Sequence, residues 1–330
     1  MLPLAARLHR RAAVTRAMRR FFDERDFVEV DTPVAARTVA PEPHLEAPAV
    51  TFHAGGETLR RYLQTSPELA MKRLLATLPR IVQLAPAFRD GDLTHLHRPE
   101  FRILEWYRRG EDLEALYGDC EGLLVATAAA AGDATGFIYQ GRRVELRRPF
   151  RRVTVDEAFR AHAGFSILER LERDALAGEL AARSVHHDPA EPWDDLFHRV
   201  FLGVVEPALL ADGQPVFLCD YPAPLAALAR LSPRDARVAE RFELYVGGLE
   251  LANAFGELVD AGEQRRRFER DRALRLAAGR ADYPVDERFF AALATLPPSA
   301  GIALGFDRLL MLLCDAADID DVACVPWLET

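Results

Sequence analysis

Charged side chains are concentrated in residues 88–108, which read FRDGDLTHLHRPEFRILEWYR. Arg89 is followed by a turn-forming Asp-Gly-Asp run at residues 90–92. Strand-like segments at 84–88 and 101–106 enclose this polar loop, so we predict a long-looped antiparallel hairpin. A guanidinium fixed at the base of such a loop can make forked bonds to phosphate oxygens. An edge hairpin whose charges face water explains the same residues equally well.

A second chemically suggestive stretch, residues 241–258, reads RFELYVGGLELANAFGEL. Two strand-like runs flank its glycine pair, and Glu243, Glu250 and Glu257 recur every seven residues. That spacing selects no single strand face, but Glu243 and Glu250 can meet across a hairpin that turns at the glycines. Paired carboxylates beside phosphates are the usual way to hold Mg²⁺. Solvated strand ends are the alternative.

A third candidate is the helix start in TSPELAMKRLLA, residues 65–76. Ser66 is a plausible N-cap, Pro67 fits the first helical position, and Glu68 follows in the first turn. The Glu68 carboxylate either complements the helix dipole or holds an ammonium group beside the hairpin.

The fourth is GIALGFDRLLMLL, residues 301–313, in which a strand with one nearly bare face precedes an apolar helix. Something flat or bulky can lie against the small residues Gly301, Ala303 and Gly305, although close backbone packing explains them equally well. An arginine at the helix start, Arg308, can stack on a ring and reach a phosphate.

Elements that position these residues are predicted from hydrophobic periodicity. Helices are expected at residues 7–25 and 113–131, and a charged surface helix at 263–278. A short strand at 27–30 stops at Pro33. The 330 residues, 49% of them hydrophobic, are enough for a substantial core.

Composition excludes some classes of protein. The net charge of −9 argues against a protein that coats nucleic acid, because such affinity comes from basic surface. No apolar run approaches the roughly 18 residues of a membrane span. The four cysteines form no CxxC pair, which is typical of reduced thiols in a cytoplasmic protein. Of the 42 basic residues, only Lys72 is a lysine.

Together these stretches resemble the three signature motifs of class II aminoacyl-tRNA synthetases. The strand ending at Pro33 matches motif 1, residues 88–108 match motif 2, and residues 301–313 match motif 3. Within the class the chain resembles lysyl-tRNA synthetases, and most closely their stand-alone paralogues, the elongation factor P–(R)-β-lysine ligases. The matching details are SPE at 66–68, HxPEF at 97–101, ELANxFxEL at 250–258, GxDR at 305–308, and Ala303 where lysyl-tRNA synthetases generally have glycine.

The resemblance implies an α+β fold, an antiparallel β-sheet flanked by helices. It implies one catalytic domain over residues 1–330, with a mostly helical insertion at about 153–215 and no N-terminal OB anticodon-binding domain. A homodimer formed through motif 1 is expected.

The implied activity uses ATP and Mg²⁺ to convert (R)-β-lysine or lysine into an aminoacyl-adenylate. The aminoacyl group then passes to a lysine ε-amine of elongation factor P, so tRNA is not the expected acceptor. Two alternatives stay open: a truncated lysyl-tRNA synthetase paralogue with another acceptor, and a non-catalytic regulatory subunit.

The resemblance also assigns site residues. Arg89 and Arg308 are the expected catalytic residues, and Glu243 and Glu250 the expected metal ligands. The expected amino-acid site consists of Ser66, Pro67, Glu68, Glu105, Tyr107, Asn253, Phe255, Glu257 and Ala303. The expected ATP site consists of Arg89, Asp90, Gly91, Asp92, Arg98, Phe101, Glu250, Leu251, Gly305 and Arg308. Arg98 stands where the family has asparagine, and residues 90–92 depart from the family's Asn-Glu.

Overall fold

The structure, a computed structural model, describes residues 2–329. Within this range the α-helices are α1 Leu4–Asp23, α2 Glu68–Leu75, α3 Leu113–Ala131, α4 Val155–His162, α5 Arg173–Ala182, α6 Trp193–Val200, α7 Glu206–Leu209, α8 Ala261–Ala277, α9 Glu287–Leu293 and α10 Phe306–Cys314. The strands are β1 Val28–Glu29, β2 Ala35–Ala36, β3 Ala49–Ala54, β4 Glu57–Leu63, β5 Arg80–Phe88, β6 Glu100–Arg109, β7 Gly136–Tyr139, β8 Arg142–Glu145, β9 Arg151–Thr154, β10 Val216–Pro222, β11 Val238–Val246, β12 Leu249–Gly256 and β13 Ser299–Gly305.

An eight-stranded sheet organises the molecule, in the order β1-β5-β6-β13-β12-β11-β10-β9. The five pairs from β5 to β10 are antiparallel, whereas the pairs β1–β5 and β9–β10 at the two edges are parallel. The predicted antiparallel sheet flanked by helices is therefore confirmed, and the parallel edge pairs are an addition to it.

One face of this sheet is covered by α1, α3 and α10, which share its largest hydrophobic core. On α1 the buried residues Val14, Met18, Phe21 and Phe22 recur at helical spacing. The Phe22 ring lies 5.3 Å from the Trp106 ring of β6, measured between centroids. These contacts cover one face of the sheet, so the opposite face is left to form a site.

Strand alternation explains which side chains reach that opposite face, because successive residues of a strand point to opposite sides. On β6, Leu104 and Trp106 lie in the core shared with α1, α3 and α10. Their neighbours Glu105 and Tyr107 line a cavity on the other side, where α2 and α9 pack beside the Tyr107 ring.

The helix predicted to start at Pro67 starts one residue later. Glu68 is the first residue of α2, and Pro67 occupies the N-cap position. Ser66 Oγ still accepts a hydrogen bond from the Glu68 backbone N–H, at 3.0 Å. The predicted helices at 7–25 and 113–131 correspond to α1 and α3.

The charged helix predicted at 263–278 corresponds to α8, but it is more than a surface helix. Arg275 is only 1% exposed, and its guanidinium donates to the backbone oxygens of Glu42 and Leu45. It thereby ties α8 to the loop before β3.

Between β9 and β10 the chain forms α4 to α7, which share a second core with Val216 and Tyr245 of the sheet. That this segment is an insertion stays a prediction. Within residues 2–329 no helix has both the length and the apolar character needed to cross a membrane.

Candidate active site

A cavity of about 670 Å³ lies against the open face of β6, β12 and β13. This volume is within the range typical of small-molecule and cofactor sites. Most of the residues predicted to form the site line this cavity: Ser66, Glu68, Arg89, Asp92, Arg98, Phe101, Glu105, Tyr107, Glu250, Leu251, Asn253, Phe255, Glu257, Ala303, Gly305 and Arg308.

Four predicted site residues, Pro67, Asp90, Gly91 and Glu243, are not part of its lining. Asp90 and Gly91 are exposed in the loop between β5 and β6, where Asp90 N–H donates to the Glu46 carbonyl at 2.8 Å. Pro67 occupies the N-cap position of α2, and Glu243 is buried near the lining residue Glu250.

Arg89 leaves β5 at the base of the predicted hairpin loop. Its guanidinium carbon lies 5.1 Å from the centre of the Phe101 ring, so the aromatic face helps to hold the cation. Its Nε is buried and has no hydrogen-bond partner among residues 2–329. A buried donor without an acceptor is costly, so this atom is suited to an anionic ligand.

Arg308, at the start of α10, is held by two contacts. Its Nη1 donates to the Glu250 carbonyl oxygen at 2.7 Å, and its Nη2 lies 2.5 Å from Nε2 of His97. Burial and the nearby Arg308 charge lower the pKa of His97, which favours the neutral imidazole that can accept from the arginine. His97 therefore orients Arg308, a contact that the sequence analysis did not predict.

Arg98 lines the cavity, but its guanidinium is already engaged. Nε donates to Asp320 at 2.8 Å, Nη2 donates to Asp318 at 2.7 Å, and Nη1 donates to the His97 carbonyl at 2.7 Å. In this arrangement Arg98 fastens the β5–β6 loop to the segment after α10. Its contact with a nucleotide stays a prediction.

Glu243 and Glu250 lie on the two paired strands of the β11–β12 hairpin, with Glu243 opposite Asn253 and Glu250 opposite Tyr245, and the two carboxylates interact electrostatically. Burial and the neighbouring Glu243 carboxylate raise the pKa of Glu250 to about 7. Glu243 is held by Arg241 and by the Tyr245 hydroxyl, each donating at 2.6 Å. The repulsion that Glu243 exerts on the Glu250 carboxylate, whose side chain is 45% exposed, would be relieved by a cation bound between them.

The pair could hold a divalent cation only with help from a ligand. Among residues 2–329 no group of three or more His, Cys, Asp and Glu side chains is arranged to hold a metal alone. Mg²⁺ commonly takes one or two carboxylates and completes its shell with phosphate oxygens and water. The donor set of Glu243 and Glu250 fits a magnesium–nucleotide complex of this kind.

A strongly acidic pocket lies where β6 faces the start of α2. Glu105 is 1% exposed and accepts hydrogen bonds from Ser66 Oγ at 2.6 Å and from the Tyr107 hydroxyl at 2.8 Å. Burial, followed by the charge of Glu68, raises the pKa of Glu105 to about 8. The pocket favours a positively charged ligand, because a cation would stabilise these carboxylates in their ionised form.

Glu257 closes the same pocket and depends on a glycine opposite it. A Cβ on Gly301 would lie 2.3 Å from both Glu257 Oε1 and the Tyr107 ring. The bare strand face predicted from the sequence is thus covered by an aromatic ring and a carboxylate. Only glycine permits this approach.

Lys72 of α2 bridges two of the pocket carboxylates. Its Nζ lies 2.5 Å from Glu68 Oε1 and 2.5 Å from Glu257 Oε2. Burial lowers the pKa of Lys72, but Glu257 and Glu68 outweigh it and the net shift is upward. The sequence analysis did not place Lys72 in the site, although its being the only lysine was a signal.

Two further lining residues were also missed. Arg241 donates from Nε to the Asn253 side-chain oxygen at 3.2 Å and also holds Glu243, so it orients two predicted site residues. Burial raises the pKa of Glu42 to about 7, and the nearby Arg89 lowers it. In the sequence, Arg241 was indicated only by its position two residues before Glu243. Glu42 was indicated only by its place in an acidic, proline-rich loop.

The far part of the cavity is lined by elements away from the sheet. These are the loop at 40–45, the first turns of α6 with Trp193, Asp194 and His198, and the face of α8 that carries Phe268 and Leu274. This lining mixes apolar side chains, such as Leu274, with polar ones, such as Asp194.

Comparison with known proteins identifies close relatives. The family model described as "tRNA synthetases class II (D, K and N)" matches residues 3–329. An elongation factor P–(R)-β-lysine ligase of Vibrio cholerae serotype O1 is 40% identical, covering 98% of this chain and 95% of the relative. The ligase of the same name in Erwinia tasmaniensis is 38% identical, covering 96% and 94%. A lysine–tRNA ligase of Pelotomaculum thermopropionicum is 35% identical over 97% of this chain but only 63% of that relative.

Proposed function

Because this chain belongs to the class II tRNA synthetase family of the D, K and N type, we propose that it is an ATP-dependent ligase. It activates (R)-β-lysine or lysine as an aminoacyl-adenylate and joins the aminoacyl group to a lysine ε-amine of elongation factor P. The ligase relatives, which align over nearly their whole length, support this choice of acceptor.

One observation carries the proposal: within residues 2–329 the buried Nε of Arg89 has no hydrogen-bond partner, and Arg89 shares a single cavity with the acidic pocket around Glu105. The Arg89 nitrogen suits phosphate and carboxylate oxygens, and the acidic pocket suits ammonium groups. A diamino acid and ATP together present these charges, and their reacting ends would then lie next to each other.

In the first step a carboxylate oxygen of the amino acid attacks the α-phosphorus of ATP, and pyrophosphate leaves. Arg89 binds the α-phosphate and the carboxylate, and it stabilises the charge that grows between them. Phe101 and Arg308 hold the adenine between them. The other residues predicted for the ATP site contact the rest of the nucleotide. Glu243 and Glu250 would hold Mg²⁺, which when bound would neutralise phosphate charge.

In the second step the partner's neutral ε-amine attacks the carbonyl carbon of the adenylate. An amide bond forms, the amine loses a proton, and AMP leaves. The residues predicted for the amino-acid site hold the substrate's ammonium groups, with Glu68, Glu105 and Glu257 as its anionic partners. The acceptor lysine approaches through the far part of the cavity, past the start of α6 and the face of α8 that carries Phe268 and Leu274.

The enzyme acts as a homodimer in the cytoplasm under this proposal, in the same compartment as a translation factor. Its acidic net charge of −9 supports a protein acceptor over tRNA. A second candidate, lysyl-adenylate formation for another acceptor, is favoured by the 35% identity to a lysine–tRNA ligase.

Pyrophosphate exchange measured with (R)-β-lysine and with α-lysine tests the first step. The proposal expects ATP- and Mg²⁺-dependent exchange with at least one of the two. Exchange with neither, at high enzyme concentration and with ATP binding intact, would exclude both enzymatic candidates and favour a regulatory subunit.

A further inference from the structure

Glu42 is a carboxylate in the lining of the cavity to which the proposed reaction gives no role. Within residues 2–329 its only hydrogen bond is made by its backbone carbonyl, so both carboxylate oxygens are available as acceptors. An ionised carboxylate has no donor of its own and can accept hydrogen bonds or a proton through either oxygen. Glu42 can therefore bind a cation or take a proton inside the cavity.

The backbone that carries Glu42 is anchored to helix α8. Arg275, which is 1% exposed, donates from Nη1 to the carbonyl oxygens of Glu42 and Leu45, the first at 2.8 Å. Its Nη2 donates to the Glu46 carboxylate at 2.8 Å. One buried guanidinium thus fixes the loop from residue 42 to residue 46, while the Glu42 side chain stays unengaged. A group that reacts with a substrate needs this kind of fixed support.

Charged neighbours show where in the cavity the Glu42 carboxylate lies. Among charged groups, Arg89 has the largest effect on the pKa of Glu42 and lowers it, whereas Glu68 and Asp271 raise it. Such effects weaken with distance, so these three residues are near neighbours of Glu42. Under the proposed function Arg89 holds the reacting phosphate and carboxylate, and Asp271 belongs to α8, past which the acceptor lysine enters. Glu42 therefore lies between the adenylate and the entering amine.

The transfer step requires a base at this place. When the ε-amine bonds to the adenylate carbonyl carbon, its nitrogen becomes positively charged and must lose a proton. A positioned base typically accelerates such a step about 10²–10⁴-fold. Apart from Asp92, which is assigned to the ATP site, the other lining carboxylates already have a hydrogen-bonding or ionic partner in the protein: Glu68, Glu105, Asp194, Glu250, Glu257, Asp271 and Asp307.

We propose that Glu42 is the general base of the transfer step and accepts the proton that the acceptor amine loses. The lone pair of the ε-amine forms the bond to the carbonyl carbon. The bond from that carbon to the phosphate oxygen breaks, and its electron pair leaves with AMP. The proton passes from the nitrogen to a Glu42 oxygen and then to water. This inference rests on the proposed function and assigns the proton acceptor of its second step.

The ionisation of Glu42 suits this role. Burial raises its pKa to about 7, with Glu68 and Asp271 acting in the same direction and Arg89 and Arg241 against it. A general base is most effective when its pKa lies near the working pH. Below about pH 7 the carboxylate is protonated and cannot accept a proton, and above about pH 7 it is ionised and active.

Glu42→Gln tests the proposal, because it keeps the shape of the side chain and removes the base. Pyrophosphate exchange measures adenylate formation. A single turnover, from enzyme preloaded with ATP, Mg²⁺ and the amino acid to elongation factor P, measures transfer by intact mass. We expect normal exchange and transfer slowed about 100-fold. Glu57→Gln, which neutralises an exposed carboxylate on β4, is the matched control and should keep both rates.

The pH dependence of transfer is a readout that a purely structural role would not change. At low acceptor concentration the unmodified enzyme needs a neutral amine and an ionised Glu42. The logarithm of its rate should therefore rise with pH at a slope of about two below pH 7 and about one above it, where only the amine still titrates. Glu42→Gln should show a slope of about one throughout, and Glu42→Asp, which keeps a carboxylate, should retain the bend.

Normal transfer in Glu42→Gln, or a bend near pH 7 that persists in it, would overturn the proposal. Loss of pyrophosphate exchange with ATP binding intact would also overturn it, because Glu42 would then act in activation. The unmodified enzyme gives a test that needs no variant: a slope of about one from pH 6 upwards would contradict a base of this pKa. Exchange without any transfer to elongation factor P in the unmodified enzyme would instead refute the acceptor assigned by the proposed function.

Discussion

At the scale of single residues, the arginines of the site are of two kinds. Cations whose hydrogen-bonding capacity is already used, such as Arg98 and Arg241, position loops and neighbouring side chains. Arg89 instead keeps a buried Nε without a partner among residues 2–329. Free capacity of this kind indicates which arginine is available to a ligand.

Removing that capacity should stop activation. We expect Arg89→Ala to lower pyrophosphate exchange by at least about 100-fold, the usual cost of losing a donor that stabilises transition-state charge. Arg147→Ala, which removes an exposed arginine, is the matched control and should keep full exchange. Near-normal exchange in Arg89→Ala would contradict the role proposed for this residue.

The acidic pocket predicts a pH dependence. Folding raises the pKa of Glu105 to about 8 and that of Glu257 to about 7, mainly by burial. A dicationic amino acid binds the ionised carboxylates, so its KM should fall as pH rises from about 6.5 to 8.5. Glu105→Gln removes one of these groups and should flatten the upper part of that profile. A KM that rises with pH in the unmodified enzyme would refute this interpretation.

The raised pKa of Glu105 also makes the stability of the ligand-free protein depend on pH. The folded-state pKa of Glu105 lies above its unfolded value of 4.5, so its contribution to stability is greatest at low pH and is lost as pH rises through about 8. Thermal unfolding without ligand should therefore show a smaller fall in Tm between pH 6 and 9 in Glu105→Gln than in the unmodified enzyme. An identical pH dependence of Tm in both proteins would argue that Glu105 is ionised when the pocket is empty.

At the scale of elements, strand β13 determines whether the pocket can exist. Its small residues allow Tyr107 and Glu257 to approach from the neighbouring strands, and the backbone register pairs Gly301 with Tyr107 directly. Helix α2 then brings Lys72 and Glu68 against the same place. The pocket is thus a product of three elements that are far apart in sequence.

Filling the gap at Gly301 should therefore damage amino-acid binding. The Cβ of Gly301→Ala would meet the Tyr107 ring and the Glu257 carboxylate at 2.3 Å, and overpacking of this kind costs about 1–3 kcal/mol of stability. We expect a KM for lysine raised at least about tenfold, with ATP affinity nearly unchanged. Gly178→Ala, at an open helical position of α5, is the control and should leave both unchanged.

The strands of the site could be predicted from the sequence, whereas the contacts between distant segments could not. Period-two alternation and turn residues were enough to predict β5, β6, β11, β12 and the open face of β13, because those signals are local. Ion pairs between distant segments gave no such signal: Arg98 bonds to Asp320, 222 residues away, and Arg275 holds a loop more than 200 residues before it. The ion pairs of Lys72 likewise depend on how α2 packs against β5 and β6, next to Glu257, which no local pattern specifies.

At the scale of the whole molecule, the sheet has one edge that suits association with a second copy. In the part of the chain that the structure describes, strand β1 pairs only with β5, and its Val28 is 44% exposed. An edge strand with an exposed apolar side chain is a natural pairing surface. The proposed homodimer, formed through α1 and β1, would cover it.

Light scattering on the purified enzyme tests this assembly. Val28→Lys should shift the protein towards monomer at micromolar concentration, because it places a charge in the proposed interface. Ile138→Lys, which changes a similarly exposed apolar residue on β7, should leave the dimer intact. A monomeric unmodified protein would contradict the proposed dimer without affecting the site.

The central claim is that one cavity activates a diamino acid and passes it to a protein amine. Intact-mass spectrometry of elongation factor P, incubated with the enzyme, ATP, Mg²⁺ and (R)-β-lysine, tests it most directly. The account predicts a mass increase of one lysyl group, mapped to a single lysine and absent with Arg89→Ala. An acceptor of unchanged mass, in a reaction that supports pyrophosphate exchange, would contradict the claim.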